Sequence, residues 1–129
     1  MLRWDHQFEL GHARIDAEHK MFLELIVEFQ ESITRGDDRQ RQSRILNEIG
    51  KCAEFHFVSE ENLMTDCAFP EQEAHTRQHA RLLSELNDMG WRFRSNQVEA
   101  EQVFEFLFQW FALHITSEDR KLVGYLKSA

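Results

Sequence analysis

Apolar residues recur every three or four positions through four long segments of this 129-residue chain. That spacing is typical of α-helices that bury one face. Proline occurs once, at Pro70, and glycine only five times, so little interrupts the segments. The pattern predicts helices over residues 16–35, 39–65, 71–93 and 98–126, with an interruption in the last. We expect Asp16 to be the N-cap of the first helix and Gly36 to end it.

Four helices of similar length, joined by connections too short for a crossover, favour one architecture. The chain is predicted to be all-α, an antiparallel up-down-up-down four-helix bundle with an N-terminal arm. No repeat, Gly/Ser linker or low-complexity tract divides the sequence. Residues 1–129 are therefore predicted to form a single domain.

The charge balance argues against two classes of partner. Fifteen Lys and Arg face 23 Asp and Glu, a net charge of −8 that would repel nucleic acid and an anionic membrane surface.

No apolar run is long enough for a membrane span, and the first ten residues do not resemble a signal peptide. Cys52 and Cys67 lack the spacing of a zinc or redox motif and are expected to be buried, reduced thiols. A cytoplasmic protein is predicted.

The positions of the histidines are the most informative feature. Five of the seven fall on the predicted buried faces: His19 on the first helix, His56 on the second, His75 and His79 on the third, and His114 on the fourth. A single core histidine is ordinarily satisfied by carbonyls or water. Five imidazoles in one small core would be costly to desolvate unless something bound them together.

Two carboxylates complete the set. Glu60 lies four residues after His56, so both side chains lie on one face of the second helix. Asp119 lies five residues after His114, about 140° away on an ideal helix. Asp119 can join the cluster only if the helix is irregular at that point. The other acids nearby, Glu61 among them, are expected to be surface groups or outer partners of the cluster.

Seven donors exceed the four of a closed structural zinc site, so two metal ions are implied. If three imidazoles bind one ion and two bind the other, while both carboxylates and one solvent-derived oxygen bridge them, an open position remains. Nitrogen-rich, oxygen-bridged coordination suits iron, with copper, zinc and manganese as competitors. An open position on a redox-active pair favours dioxygen as the ligand.

At this point the sequence resembles the bacterial hemerythrins, a family of non-haem di-iron oxygen binders, over nearly its whole length. The matching pieces are Gly11 with Ile15-Asp16 and His19-Lys20, His56-x-x-x-Glu60 followed by Met64, Pro70 before His75-x-x-x-His79, and Trp110 before His114-Ile115-x-x-x-Asp119. A single His-x-x-x-His is weak evidence, but the complete ordered set is specific.

The resemblance implies a role for each residue. Two oxo- or hydroxo-bridged irons would be held as follows: His75, His79 and His114 on one, His19 and His56 on the other, and Glu60 and Asp119 bridging both. The open position would lie on the second iron. An apolar oxygen pocket would be lined or backed by Phe57, Met64, Trp110, Phe111 and Ile115.

The function implied is reversible dioxygen binding without enzymatic turnover. The sequence leaves open whether this provides oxygen storage and delivery or the oxygen- or redox-sensing input of a signalling protein. Dioxygen is the expected partner, together with a downstream signalling domain or a redox partner. The alternatives are a di-iron enzyme that reduces peroxide or nitric oxide, and an iron-handling protein.

Overall fold

A computed structural model describes residues 4–128 of the chain, without the side chains of Ile115 and Thr116. A 3₁₀ turn at His6–Phe8 precedes the helices, which are α1 (Ala13–Arg35), α2 (Arg39–Cys67), α3 (Gln72–Arg94), α4 (Ala100–Leu113), a π-helical segment (His114–Asp119) and α5 (Arg120–Ser128). The described residues contain no strand. The fourth predicted helix is thus continuous in direction but changes its winding in the middle.

The helices pack in chain order around one core. Helix α1 contacts α2 and α4, and α3 contacts α2 and α4. Because the connections at residues 36–38, 68–71 and 95–99 are short, successive helices run in opposite directions. The prediction of an all-α four-helix bundle is confirmed.

The end of α1 agrees with the sequence prediction and its beginning does not. Gly36 adopts a left-handed conformation with φ 75° and ends the helix. The helix begins at Ala13, and His12 is its N-cap, accepting a first-turn backbone N–H at 3.3 Å. The prediction that Asp16 is the N-cap was therefore wrong.

Asp16 instead ties the N-terminal arm to α1. Its carboxylate accepts the backbone N–H groups of Leu10 at 2.9 Å and Gly11 at 3.1 Å. An acid in the first helical turn also interacts favourably with the positive end of the helix dipole. An aspartate at position 16 is therefore favourable in the first turn of α1, just as it would be at an N-cap.

The end of the bundle where α1 finishes and α2 begins is apolar, and we call it the distal end. Phe29 and Phe93 are fully buried there, with ring centroids 6.2 Å apart in an edge-to-face arrangement. Arg39 lies 4.4 Å above the Phe93 ring and donates to the Phe93 carbonyl at 2.7 Å. These contacts fasten the start of α2 to the end of α3.

The two cysteines lie at the margin of the core. Cys52 and Cys67 are unpaired thiols, and each is partly buried rather than fully buried as expected. Burial raises the pKa of the Cys52 thiol to about 11, with the charges of Glu18 and Glu48 adding to the effect. Cys52 is therefore a poor nucleophile near neutral pH.

No helix within residues 4–128 combines the length and apolar character that crossing a membrane requires.

Candidate metal centre

The seven predicted metal ligands lie together at the opposite end of the bundle, and every one of them is buried. Their potential ligand atoms form two groups, each with all members within 4.8 Å of one another. The first group is Glu60, His75, His79, His114 and Asp119; the second is His19, His56, Glu60 and Asp119. Glu60 and Asp119 thus belong to both groups.

The bundle has four helical units, namely α1, α2, α3 and a last unit made of α4, the π-helical segment and α5, and each contributes to the cluster. The four-residue spacing on α2 and α3 places two donors on the inner face of each helix. On the last unit, the π-helical segment runs from His114 to Asp119. The wider winding of a π-helix brings residues five apart onto one face. The five-residue spacing of His114 and Asp119 required an irregular helix, and the π-helical segment lies between these two residues.

Asp119 separates its two oxygens between the groups. Oδ2 lies 2.6 Å from His19 Nε2 and 3.1 Å from His56 Nε2. Oδ1 lies 2.8 Å from His114 Nε2 and 3.4 Å from His75 Nε2. The carboxylate therefore faces two imidazoles on each side.

Glu60 is arranged in the same way. Its Oε1 lies 3.2 Å from His75 Nε2 and 3.0 Å from His79 Nε2. Its Oε2 lies on the other side, 3.7 Å from His56 Nε2. Both carboxylates thus present one oxygen to each group, which is the arrangement needed to bridge two cations.

Several of these atoms lack a hydrogen-bond partner among the described residues. His114 Nε2, Asp119 Oδ1 and Glu60 Oε2 are all buried and unpaired. The first two lie 2.8 Å apart as an ion pair rather than as a hydrogen bond. Unpaired buried polar atoms are costly, and a cation among these donors would satisfy them. Imidazole nitrogens and carboxylate oxygens are donors that suit first-row transition metals, iron included.

Without a metal, mutual charge holds the cluster together. Burial by itself would lower the pKa of His56, but Asp119 and Glu18 raise it to about 10. Burial likewise opposes the charged forms of His75 and His114, whose pKa values the two central carboxylates raise to about 9. Without a bound metal, the imidazoles of His56, His75 and His114 therefore favour the protonated form at neutral pH.

The carboxylates shift in the complementary direction. Burial and the charge of Asp119 would raise the pKa of Glu60, but the surrounding imidazoles lower it to about 2. Burial also opposes ionisation of Asp119, whose pKa is held well below its usual value, chiefly by the charge of His114. A metal ion that enters must displace the imidazole protons.

Two outer carboxylates hold the far nitrogens of two imidazoles. His56 Nδ1 donates to Glu18 Oε1 at 2.7 Å, and His79 Nδ1 donates to Glu61 Oε2 at 2.8 Å. Glu61 was expected at the surface or as an outer partner of the cluster, and it is such a partner, whereas Glu18 was not predicted from the sequence. The only local sign of Glu18 is its place beside His19, on the flank of α1 that turns toward α2.

Phe57, Trp110 and Phe111 form an aromatic wall beside the cluster. Phe57 stacks on the His79 ring at 4.0 Å with an interplanar angle of 10° and lies edge-on to His114 at 5.3 Å. Trp110 is 5.9 Å from Phe57, measured between ring centroids. Phe57 on α2 and Trp110 on α4 thus bring apolar rings next to the cluster from two helices.

The rest of the predicted oxygen pocket is placed as follows. Phe111 is buried and its ring lies 6.2 Å from that of His19. Met64 is fully buried in the core cluster. The side chain of Ile115 lies outside the described residues. Four of the five predicted wall residues are therefore buried in the core, and two of them contact imidazoles of the cluster.

A surface groove of about 470 Å³ reaches the centre at one point. It lies between α3 and the last helical unit, and its lining includes His75, Phe69, Glu118 and Lys121. Within this lining, a carboxylate oxygen of Glu118 lies 3.8 Å from the Lys121 ammonium. His75 connects the buried cluster to this groove.

Known proteins with similar sequences indicate membership of one family of cation-binding domains. The model of the hemerythrin HHE cation binding domain matches residues 10–126. A bacteriohemerythrin of Stenotrophomonas maltophilia is 23% identical over 128 residues, covering 99% of this chain and 83% of the relative. One of Clostridium acetobutylicum is 24% identical over 132 residues, covering 95% and 99% respectively.

A myohemerythrin from Theromyzon tessulatum is also similar, 24% identical over 124 residues, with 96% of this chain and 92% of the relative covered. The similarity thus extends through nearly the whole length of the chain and includes every element that contributes to the buried cluster. This chain therefore belongs to the hemerythrin HHE cation binding domain family.

Proposed function

We propose that this chain binds dioxygen reversibly at a pair of iron ions. The observation that carries the proposal is the way Glu60 and Asp119 each present one oxygen to either of two imidazole groups. Such a division serves a two-ion centre and has no purpose around a single ion. Membership of the hemerythrin family supports iron as the metal.

The proposed ligands are His75, His79 and His114 for one ion, His19 and His56 for the other, and Glu60 and Asp119 for both. The ion with two histidines has the smaller ligand set, so the open position for dioxygen is assigned to that ion. When bound, the iron pair supplies the electrons that dioxygen takes up reversibly. The protein's task is to hold this pair and to protect it.

Protection comes from the buried aromatic wall. Phe57 packs on His79 and His114, Trp110 packs against Phe57, and Phe111 lies beside His19. Apolar side chains exclude water and so reduce both proton delivery and loss of the bound ligand. Phe57 also holds the His79 ring in place by stacking on it.

The ligand balance favours binding over oxidation chemistry. Five neutral imidazoles and two carboxylates place little negative charge on the centre, which favours its reduced state. Carboxylate-rich di-iron bundles use a different set, in which glutamates predominate. The proposal covers oxygen storage and delivery and, where an output domain is attached, oxygen or redox sensing.

The test is anaerobic reconstitution with Fe(II), followed by measurement of iron per chain and of absorption spectra. We expect two irons per chain and charge-transfer bands that form in air and fade under vacuum. His114→Ala should abolish the bands, whereas His6→Ala, which removes an exposed histidine, should leave them unchanged. Absence of iron would contradict the proposal. Irreversible oxidation, or steady turnover of peroxide or nitric oxide, would favour an enzyme instead.

A further inference from the structure

Glu18 holds a ligand on the neighbouring helix with both of its oxygens. Oε1 accepts from His56 Nδ1 at 2.7 Å, and Oε2 accepts from Ser59 Oγ at 2.6 Å. Arg14 approaches Oε2 from the solvent side at 3.4 Å. The Glu18 side chain is only 11% exposed. A carboxylate bonded on both oxygens and nearly buried has one orientation, so it orients the His56 ring.

The hydrogen bond also selects which nitrogen faces the cluster. In the neutral imidazole that a metal requires, Nδ1 keeps its proton to donate to Glu18, and Nε2 presents its lone pair. Nε2 of His56 lies 3.1 Å from Asp119 Oδ2 and 3.0 Å from His19 Nε2, inside the second group. By accepting from Nδ1, Glu18 therefore directs His56 Nε2 toward the second group of potential ligands.

The same device occurs once in the other half of the centre. Glu61 follows Glu60 on α2 and accepts from His79 Nδ1 on α3 at 2.8 Å. Glu18 likewise precedes His19 on α1 and accepts from His56 on α2. In both cases an acid beside a cluster residue holds an imidazole of the next helix.

The group with two histidines depends more on such an outer carboxylate than the group with three histidines does. In the half with two histidines, the other imidazole has a buried Nδ1 without a hydrogen-bond partner among the described residues, namely that of His19. Glu18 thus orients one of only two imidazoles. Glu61 orients one of three, and its side chain is 32% exposed. Loss of Glu18 should weaken the half that has fewer ligands.

We propose that Glu18 is a positioning residue that retains the metal ion of the His19–His56 half, an inference that rests on the proposed two-ion centre. Removing a hydrogen-bond partner of a metal-bound histidine typically costs about 10-fold to 100-fold in metal affinity. Glu18→Ala removes both the bond and the charge. Glu18→Gln keeps an acceptor oxygen for His56 and removes only the charge, so its effect should be smaller.

The experiment uses the full chain loaded with cobalt(II), whose release to excess chelator is followed by absorption. In Glu18→Ala we expect one cobalt equivalent to be bound about 10-fold to 100-fold more weakly and to leave faster, with the second equivalent unchanged. Glu18→Gln should fall between this variant and the unmodified protein. Glu73→Gln is the matched control, because Glu73 is an 89% exposed acid on α3 that pairs with Arg77 outside the cluster.

A second measurement separates positioning from general loosening of the fold. Cobalt shifts the NMR signals of exchangeable imidazole N–H protons, and the His56 Nδ1–H signal should broaden by solvent exchange in Glu18→Ala alone. The melting temperature of each metal-free variant is recorded beside it. Equal acceleration of both equivalents together with a lowered melting temperature would overturn the inference. So would release indistinguishable from that of Glu73→Gln.

Failure of the two proposals can be told apart. If the unmodified protein does not take up two cobalt ions, the two-ion centre itself is wrong. If it takes up two and the Glu18 variants behave like the control, only the positioning role of Glu18 is lost.

Discussion

The two ends of the bundle are built on opposite principles. At the distal end, Phe29 and Phe93 pack edge to face. Arg39 lies over the Phe93 ring and donates to the Phe93 carbonyl. Every group named there is satisfied by another group of the chain. At the other end, the core contains five imidazoles and two carboxylates, with His114 Nε2 and Asp119 Oδ1 left without hydrogen bonds.

This contrast indicates a division of labour along one set of helices. The apolar end can hold the helices together without any ligand, because burial of apolar surface needs no partner. The polar end contains buried atoms that have no hydrogen-bond partner until a cation satisfies them, a cost that is common where function requires such groups. The distal end thus stabilises the helices that carry the unpaired buried groups of the metal centre.

The most severe test of this division is Phe29→Ala at the distal end. Phe29 is fully buried, so the cavity should lower the free energy of unfolding by about 3–5 kcal/mol. The metal content of the folded protein should not change, since Phe29 is remote from the cluster. Urea denaturation and metal analysis measure the two quantities.

Phe55→Ala serves as its control, because Phe55 is a phenylalanine that is 63% exposed. Its effect on the free energy of unfolding should stay within about 0.5 kcal/mol. If Phe29→Ala instead emptied the centre of metal, the two ends would not be independent.

The pH dependence of the metal-free protein should be set by the polar end. The pKa values of His56, His75 and His114 rise from 6.5 to about 10, 9 and 9. Raised values stabilise the fold fully below pH 6.5, and this contribution disappears as the pH rises through 9 to 10. The lowered pKa values of Glu60 and Asp119 stabilise the fold above their ordinary range, and this contribution is lost as the pH falls through that range, toward about 2 for Glu60.

We therefore expect the metal-free protein to be most stable between about pH 4.5 and 6.5. Bound metal displaces the imidazole protons, so the loaded protein should not lose stability in the same way above neutral pH. Urea midpoints measured from pH 4 to 10, with and without metal, test this prediction. Parallel profiles for the two forms would count against it.

The smallest expected effect comes from Arg39→Lys. Arg39 donates to the Phe93 and Val98 carbonyls at 2.7 and 3.4 Å and lies over the Phe93 ring. Lysine keeps the charge but loses the planar fork, so the free energy of unfolding should fall by about 1 kcal/mol. Thermal denaturation of the metal-free protein measures the change. A simultaneous change in cobalt release would show that the distal contact affects the centre.

Periodicity along the chain was sufficient to predict the helices and every member of the buried cluster except Asp119. Gly36 ends α1 as predicted, because a left-handed residue is a local requirement that glycine meets. The five-residue interval between His114 and Asp119 required an irregular helix, and a π-helical segment occupies that interval. The prediction for Asp16 failed because an acid in a first turn and an N-cap acid leave similar patterns.

The sequence by itself determined which side chains face the core, because the direction of a side chain around its own helix depends only on spacing. The tertiary structure decided which side chains meet across helices. Glu18 reaches His56 and Glu61 reaches His79 because of the packing of α1 on α2 and of α2 on α3. The division of the Asp119 oxygens between two groups was decided there too, since it depends on distances between helices that no spacing along the chain encodes.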